Sequence, residues 1–431
     1  MEQIKKRYLI TLEKSMDIKV LASKILTSPS IQLKEGVEMM ASGIPLSNDD
    51  ALYFQNLGIV SATLTLQEVE RISKVSGIKA IEENSEVFVV EDKDSAHFDE
   101  FEDGYKQAYL DIFGAMLDTY SENNRTKQKI VEKEIKDDFS GINFTWNMKM
   151  INAPLAWDRN INGTGVNVAV LDTGIAKHPN LAIKGGVSFV DGGSYNDING
   201  HGTHCAGIIA GLGAVYDGFS MYGVAPACNL YAVKVLSNDG KGDILNIIAG
   251  MEWCIKNNIK VISMSLASYD KPLVAYNQSV QKCQDAKISV VAASGNSYEK
   301  EFKWVNAPAN SIDSKSKNAS PLAVGAVDVN KIISIFSSRG GMPNIAWNQV
   351  SVSAPGVNVL STSLNNTYQE LSGTSMACPH VAGLVALLYQ KNSNYTPDMI
   401  KSLIMNNCLP NSNPNPEAYG SGIIDCDKAT K

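Results

Sequence analysis

From Trp146 to its end, the chain alternates short apolar runs with longer helical stretches, and this alternation restricts the possible folds most strongly. The runs are residues 166–172, 229–236, 260–267, 288–295 and 321–328. Nearly continuous apolar runs are typical of parallel strands that helices cover on both faces. The stretch 244–258 has its apolar residues at helical spacing. The pattern predicts a doubly wound α/β domain with a mostly parallel sheet, whose sites form beyond the carboxyl ends of the strands.

The first 90 residues predict a second, smaller unit of mixed helices and strands. A chain of 431 residues has room for two or three domains of about 100 to 200 residues each. Strands are predicted at 7–12 and near 78–82, and Thr65 with Glu68 forms a capping-box pattern that opens a helix through Ile72. Apolar residues then run from Val87 to Val90.

The net charge of −7 comes from one segment. Residues 91–145 contain 14 acidic and 7 basic side chains, whereas the charges before and after this segment nearly cancel. Apolar residues at helical spacing predict one amphipathic helix within it, formed by Tyr109, Ile112, Phe113, Met116, Leu117 and Tyr120. We therefore predict a domain at 1–90, an acidic connector at 91–145 and a second domain at 146–431.

Composition excludes several classes of protein. The longest uncharged apolar run, near residues 380–389, falls short of the ~18 residues of a membrane span. No basic stripe is present, which argues against nucleic-acid binding. An odd number of cysteines, seven, leaves at least one thiol free. The N-terminus lacks an uninterrupted signal-peptide core, which favours a reducing, cytoplasmic compartment over secretion; an export signal already removed is the alternative.

The first motif with chemical potential is Leu171-Asp172-Thr173-Gly174, which closes an apolar run. An aspartate at such a position can cap a turn or bind a ribose in a nucleotide-binding fold. The nucleotide interpretation requires a Gly-x-Gly-x-x-Gly turn about 20 residues upstream, and the sequence has none there. Taken alone, the motif is most simply a turn.

The second motif, residues 199–207, runs from Asn-Gly-His-Gly-Thr-His into an apolar helix. The glycines flanking His201 leave space around an imidazole that faces a cleft. A metal pair formed by His201 and His204 is the alternative, but the segment has no His-Glu-x-x-His pattern and supplies no third ligand. We interpret His204, like His380, as a helix-packing residue, and we predict no metal site here.

The third motif, residues 372–383, contains two serines before an apolar helix. A serine at a helix N-terminus can act as a nucleophile, because its backbone N–H is free and the helix dipole favours a developing oxyanion. An ordinary capping serine is the alternative. The segment alone does not decide between Ser372 and Ser375.

Together, Asp172, His201 and Ser375 with their flanking residues make the sequence resemble the subtilisin-like serine proteases (subtilases, peptidase S8 family), in which the triad has this chain order. The resemblance covers residues 146–431. It implies that Ser375 is the nucleophile, that His201 is the general base and then acid, and that Asp172 orients the imidazole. Residues 292–296 resemble the family's oxyanion-hole segment, so Asn296 is expected to donate its side-chain amide beside the Ser375 N–H.

Two further stretches resemble the edge strands with which subtilases bind an extended polypeptide substrate. They comprise Gly240 and Gly242, and Ser265, Leu266 and Ala267. Such strands bind a peptide through main-chain hydrogen bonds and select it through side-chain pockets. Ala267 departs from the family pattern, which has glycine at this position. Its methyl group is expected to narrow the first pocket or to shift its wall.

Two expectations concern ions. Many subtilases bind calcium through an aspartate after the catalytic one and an Asn-rich loop; here the matching positions are Asn180 and the loop 212–222, with Asp217 as its one carboxylate. Calcium prefers charged oxygen ligands, so we predict no cofactor and keep calcium as the alternative. Cys205 resembles the cysteine that proteinase K-like subtilases carry after the catalytic histidine; it is either a site for thiol reagents or a buried packing residue.

Residues 1–90 resemble the inhibitor-type prodomains of subtilases, which are small ferredoxin-like α+β units. The resemblance implies an intramolecular inhibitor whose tail, Ser85–Val90, lies in the cleft and is cut near Val90. We therefore predict a monomeric serine endopeptidase zymogen that hydrolyses polypeptides and processes itself. A maturation protease of narrow specificity, for a leader or precursor peptide, is one alternative. A non-catalytic relative that only binds peptides is another.

Overall fold

The computed structural model describes residues 4–13, 17–26, 31–90, 142–300, 302–312, 321–344, 346–409 and 415–431. The predicted helix at 109–120 lies outside these residues. Within them, no helix combines the length and the apolar character that a membrane crossing requires.

The central sheet has seven strands, and all six of its strand pairings are parallel. From edge to edge the strands are Val352–Pro355, Leu322–Val327, Ser289–Ala293, Val261–Met264, Asn167–Asp172, Asn229–Lys234 and Ile183–Ser188. This confirms the predicted doubly wound α/β fold and its five apolar strands. The chain order reverses between Val261–Met264 and Asn167–Asp172, so Asp172 ends a strand at the switch point where sites of such folds form.

The two outermost strands of the central sheet were not predicted. Ile183–Ser188 contains Gly185 and Gly186 and is only partly buried along most of its length. Val352–Pro355 has four residues and ends in proline. Neither strand is a continuous apolar run, because the first contains Lys184 and two glycines and the second contains Ser353 and Pro355.

Helices cover both faces of the central sheet. Helices His201–Ala210 and Thr374–Lys391 pack on one face. The interface helices, Ile244–Lys256 and Val274–Asp285, pack on the other. The other α-helices among the described residues after 142 are Trp146–Met150, Ala153–Trp157, Pro397–Asn406, Pro416–Tyr419 and Cys426–Ala429. Two antiparallel hairpins are formed by Leu212–Tyr216 with Phe219–Tyr222 and by Val359–Thr362 with Tyr368–Leu371.

The N-terminal sheet has five strands, in the order Gln32–Glu35, Asp50–Phe54, Ile59–Thr65, Lys5–Leu12 and Ile78–Glu83. Its last four strands are antiparallel neighbours with the strand order of a ferredoxin-like unit, and Gln32–Glu35 adds a parallel edge strand. Helices Ile18–Ile25, Gly36–Ala41 and Leu66–Ser73 complete the unit. The predicted capping box of Thr65 and Glu68 is present at the start of the third helix.

Side chains alternate across the N-terminal sheet, and both of its faces are buried. Tyr8 and Ile10 pack in a core made only of residues between 8 and 81. Leu9 and Phe54 lie on the opposite face, in the cluster that contains the interface helices. Because successive residues of a strand point to opposite faces, the sheet rests on its own helices on one side and on the interface helices on the other.

The tail strand, Glu86–Val89, leaves the N-terminal sheet and forms the middle of a separate three-stranded sheet. Its neighbours are Lys241–Asp243 and Leu266–Ala267, and both pairings are antiparallel. The predicted apolar tail is therefore an extended strand held on both edges.

Candidate active site

Asp172 and His201 form a buried hydrogen-bonded pair at the carboxyl end of the central sheet. Asp172 is the last residue of its strand, and His201 is the first residue of its helix. The distance from His201 Nδ1 to Asp172 Oδ1 is 2.8 Å, and both side chains are inaccessible to solvent. A carboxylate can only accept, so Nδ1 carries the proton and Nε2 is left as the basic nitrogen.

Asp197, which was not predicted from the sequence, holds the segment that carries His201. Its buried carboxylate accepts from the backbone N–H groups of Asn199, Gly200 and Thr203 at 2.9 to 3.0 Å, and from the hydroxyl groups of Thr203 and Thr173. These bonds satisfy N–H groups that a helix start leaves without partners. An acidic residue four positions before a predicted helix start was the available signal.

Gly202 allows helix His201–Ala210 to pack closely against the end of strand Asn167–Asp172. A Cβ atom at this position would lie 2.1 Å from the carbonyl oxygen of Gly174. The Gly202 N–H instead donates to Thr173 Oγ1 at 2.9 Å. Gly202, predicted from the sequence to leave space around His201, is therefore required for close backbone approach.

Lys234 is a second supporting residue that was not predicted from the sequence. It is 1% exposed and lies at the end of the strand next to that of Asp172. Its Nζ donates to the carbonyl oxygens of Thr173 and Leu236 at 2.7 and 3.0 Å, and to Asn238 Oδ1 at 3.1 Å. A buried ammonium group needs such acceptors. Through these bonds Lys234 connects the residue after Asp172 to the segment that follows its own strand.

Ser375 is fully buried near the start of helix Thr374–Lys391, and its Oγ donates to the carbonyl oxygen of Ser265 at 3.1 Å. Ser265 is part of the predicted substrate-binding stretch, so the structure brings these two predicted residues together. The other serine of the motif, Ser372, bonds to the backbone N–H and side chain of Asn358. Of the two serines, only Ser375 is hydrogen-bonded to the substrate-binding stretch.

Pro379 explains how the carbonyl group of Ser375 is satisfied. Proline has no N–H to donate to the residue four positions earlier in a helix. The Ser375 oxygen instead accepts from Ser265 Oγ at 2.8 Å and from Cys205 Sγ at 3.5 Å. Because the intrahelical hydrogen bond is missing, the Ser375 carbonyl group is instead hydrogen-bonded to Ser265 and to helix His201–Ala210.

The side chain of Asn296 is oriented by Thr374, the residue before Ser375. Asn296 Oδ1 accepts from the backbone N–H and from the hydroxyl group of Thr374, both at 2.9 Å. This fixes the direction of the amide, and its Nδ2 donates to the carbonyl oxygen of Val90 at 3.2 Å. Asn296 thus lies beside the serine segment and binds the end of the tail.

All five predicted substrate-binding residues contact the tail. The carbonyl oxygen of Gly240 accepts from the Val89 N–H at 3.0 Å, and that of Ser265 accepts from the Val90 N–H at 3.3 Å. The partners in strand register are Gly242 with Val87, Leu266 with Val89 and Ala267 with Phe88. The effect of the Ala267 methyl group on the first pocket stays a prediction.

His204 and His380 occupy the packing positions predicted for them. His204 Nε2 lies 2.9 Å from the carbonyl oxygen of Gln369, and burial lowers the pKa of His204 to about 3. His380 Nδ1 lies 2.8 Å from the carbonyl oxygen of Met376, and burial lowers the pKa of His380 to about 4. Both imidazoles are therefore neutral near pH 7 and structural.

Cys205 is fully buried beneath the serine segment. Burial raises the pKa of its thiol well above the ordinary value, so the reactive thiolate is disfavoured. These properties favour the packing interpretation over the reagent site. Among the described residues, Cys205 with Asp172 and His201 is the one group whose ligand atoms are close enough to hold a metal ion. All seven cysteines are free thiols.

The calcium alternative fits these residues poorly. Asn180 Oδ1 accepts from the backbone N–H groups of Leu212 and Ala214 at 3.0 and 2.9 Å, and its Nδ2 donates to the carbonyl oxygen of Met221 at 2.8 Å. The matching loop is a closed hairpin, and Asp217 is exposed at its turn. The side-chain oxygen of Asn180 thus supports the hairpin, and the two residues form no oxygen cage for a hard cation.

Comparisons with known proteins agree with this geometry. The family model described as "Subtilase family" matches residues 163–422. Subtilisin BL from Lederbergia lenta is 43% identical over 287 residues, which cover 66% of this chain and 98% of that protein. A thermostable alkaline protease from Halalkalibacterium halodurans is 36% identical over 400 residues, which cover 92% of this chain and 90% of that protein. The chain therefore belongs to the subtilase family of serine endopeptidases.

Proposed function

We propose that the chain is a self-processing zymogen whose first 90 residues are an intramolecular inhibitor and whose first cleavage falls after Val90. One observation carries this proposal: the Val90 carbonyl group accepts a hydrogen bond from Asn296 while the tail strand lies between the two predicted substrate-binding strands. In this proposal, the Val90 carbonyl group is the acyl group that Ser375 attacks. The tail occupies the cleft as a substrate would, which also blocks other polypeptides.

In the proposed reaction, Ser375 Oγ attacks the Val90 carbonyl carbon and His201 Nε2 takes the hydroxyl proton. Asp172 holds the imidazole and stabilises the imidazolium ion. The oxyanion accepts hydrogen bonds from Asn296 Nδ2 and the Ser375 N–H; losing one such donor slows turnover by about 100- to 1000-fold. The bond to Glu91 then breaks, and His201 returns the proton to the leaving amine. Water hydrolyses the acyl-enzyme by the same steps in reverse.

The zymogen prediction is tested by intact-mass spectrometry of the purified wild-type and Ser375→Ala proteins. We expect the wild type to separate into fragments that end and begin at the Val90–Glu91 bond. We expect Ser375→Ala to remain an unbroken chain of 431 residues, because loss of the nucleophile costs at least about 10⁴-fold in rate. Cleavage of Ser375→Ala at the wild-type rate, or a first cut far from residues 88–100, would refute the proposal.

Ser372→Ala is the matched control, because it removes a hydroxyl group of the same motif that bonds to Asn358 instead of Ser265. We expect this variant to process itself as the wild type does. A serine-directed fluorophosphonate should label the wild type and Ser372→Ala but leave Ser375→Ala unlabelled. The reverse labelling pattern would move the nucleophile to Ser372.

A further inference from the structure

The tail strand contacts an aromatic surface that the proposed chemistry does not use. Phe88 packs on Tyr269 with ring centroids 4.9 Å apart, and Tyr269 packs on Phe302 at 5.7 Å. Phe302 in turn contacts Trp304 at 5.6 Å and Trp347 at 6.0 Å. We call the four residues Tyr269, Phe302, Trp304 and Trp347 the aromatic row. It begins two residues after the strand Leu266–Ala267 that pairs with the tail.

We propose that the aromatic row is a subsite that selects a large apolar or aromatic side chain at the third residue before the cleaved bond. The first residue in this count is the one whose carbonyl group belongs to the cleaved bond. The inference rests on the proposed function, because it takes Val90 as the first residue and therefore Phe88 as the third. It assigns to this enzyme a specificity element beyond the first pocket at Ala267.

Strand geometry places the third residue on this surface. Side chains of an extended strand alternate between its two faces, so Phe88 and Val90 share one face and Val87 and Val89 share the other. Val87 is fully buried in the main core. Any substrate that pairs with Gly242 and Ala267 in the same register presents its third side chain to Tyr269.

The aromatic row is accessible at Tyr269 and anchored by a hydrogen bond at Trp347. Tyr269 is 47% exposed even with the tail in place. It lines an open groove of about 570 Å³ together with Lys300, Phe302, Trp304 and Met342. Trp347 anchors the far end, because its Nε1 donates to the carbonyl oxygen of Val305 at 2.9 Å. Paired aromatic rings attract each other beyond the effect of their buried area.

The first experiment compares fluorogenic peptides that copy tail residues 86–90 and vary only the third position before the cleaved bond. They have the sequence Glu-Val-Xaa-Val-Val followed by an aminocoumarin, with phenylalanine or alanine as Xaa. With active protein obtained from the full chain, we expect kcat/KM to be about tenfold higher for phenylalanine. Tyr269→Ala should reduce this ratio to about twofold. A wild-type ratio near one, or an unchanged ratio in Tyr269→Ala, would overturn the proposal.

Tyr216→Ala is the control, since Tyr216 is 40% exposed and packs on one other ring, that of Tyr368 at 4.5 Å. It lies on the hairpin 212–222, and we expect its ratio to equal that of the wild type. Absence of hydrolysis in every variant would contradict the proposed function and leave the subsite to the second experiment.

The second experiment does not depend on catalysis. In the full Ser375→Ala chain, hydrogen–deuterium exchange of residues 86–90 reports how firmly the tail is held. We expect Phe88→Ala and Tyr269→Ala each to increase the exchange rate of this segment about tenfold. The double variant should match either single one, because both remove the same contact. Additive effects, or exchange equal to that of the parent chain, would refute the subsite.

Discussion

The two large sheets of the molecule are buried in different ways. The central sheet is covered on both faces by helices that follow its own strands in the chain. The N-terminal sheet has its own helices on one face only, and its other face lies on the interface helices. One face of the N-terminal sheet therefore depends for its burial on helices of the other region, whereas both faces of the central sheet are covered by helices of its own region.

Polar contacts between the two regions are reciprocal. Glu252, from an interface helix, accepts from the backbone N–H groups of Asn56 and Leu57 at 3.0 and 3.1 Å. Glu82, from the N-terminal sheet, accepts from those of Val274 and Ala275, both at 2.8 Å, at the start of the other interface helix. Each region thus supplies a carboxylate to backbone groups of the other, which aligns them more specifically than apolar burial alone.

The largest effect should come from separating the regions. Isolated residues 1–90 would expose Leu9, Phe54 and the rest of the sheet face that packs on the interface helices. A domain of this size buries little apolar surface, so this loss should unfold it. We expect the isolated segment to be largely unfolded by far-UV circular dichroism, with no cooperative thermal transition. The uncut Ser375→Ala chain is the control and should show the full signal. A sharp cooperative transition in the isolated segment would show that the N-terminal region does not depend on the interface helices for its stability.

A smaller effect is expected from Glu252→Gln. The substitution keeps the shape of the side chain but replaces one acceptor oxygen with a donor opposite backbone N–H groups. Leaving a buried donor unsatisfied costs about 2 kcal/mol, and we expect this loss in the denaturant-induced unfolding of the N-terminal region in the Ser375→Ala chain.

Glu70→Gln is the matched control for Glu252→Gln. Glu70 is 73% exposed and pairs only with Lys74 within its own helix, so the change should cost less than about 0.5 kcal/mol. Equal losses in the two variants would show that the reciprocal contacts add nothing specific.

The smallest expected effect is a pH dependence. Burial raises the pKa of Glu82 above its ordinary value of 4.5, so the folded, docked state binds this proton more tightly than the unfolded state. The resulting stabilisation is complete below 4.5 and is lost as the pH rises through the raised pKa of Glu82. We expect the unfolding midpoint of the Ser375→Ala chain to fall with pH in this window.

Glu82→Gln should flatten part of this slope, because its amide does not titrate. Burial also raises the pKa of Glu252, so the remaining slope should keep the same sign. Midpoints measured between about pH 4 and about pH 8 test both statements. A slope unchanged in Glu82→Gln would remove this carboxylate from the docking energetics.

Local patterns determined much of this protein. The apolar runs predicted five of the seven central strands, and the motifs around Asp172, His201 and Ser375 predicted the elements that carry them. The capping box at Thr65 and the apolar run from Val87 to Val90 were also read from the sequence, whereas the place of this tail in the cleft was implied by the family resemblance. These features depend on neighbouring residues, since period, caps and strand ends are properties of short segments.

Only the tertiary structure decided how these segments meet. Lys234 shows no local pattern that marks it as a support of the Asp172–His201 pair. Ser375 is distinguished from Ser372 by the carbonyl group of Ser265, 110 residues earlier in the chain. The packing of Phe88 on Tyr269 likewise joins residues distant in sequence, and so does the packing of the N-terminal sheet on the interface helices. Such contacts depend on strand order and register, which spacing along the chain does not encode.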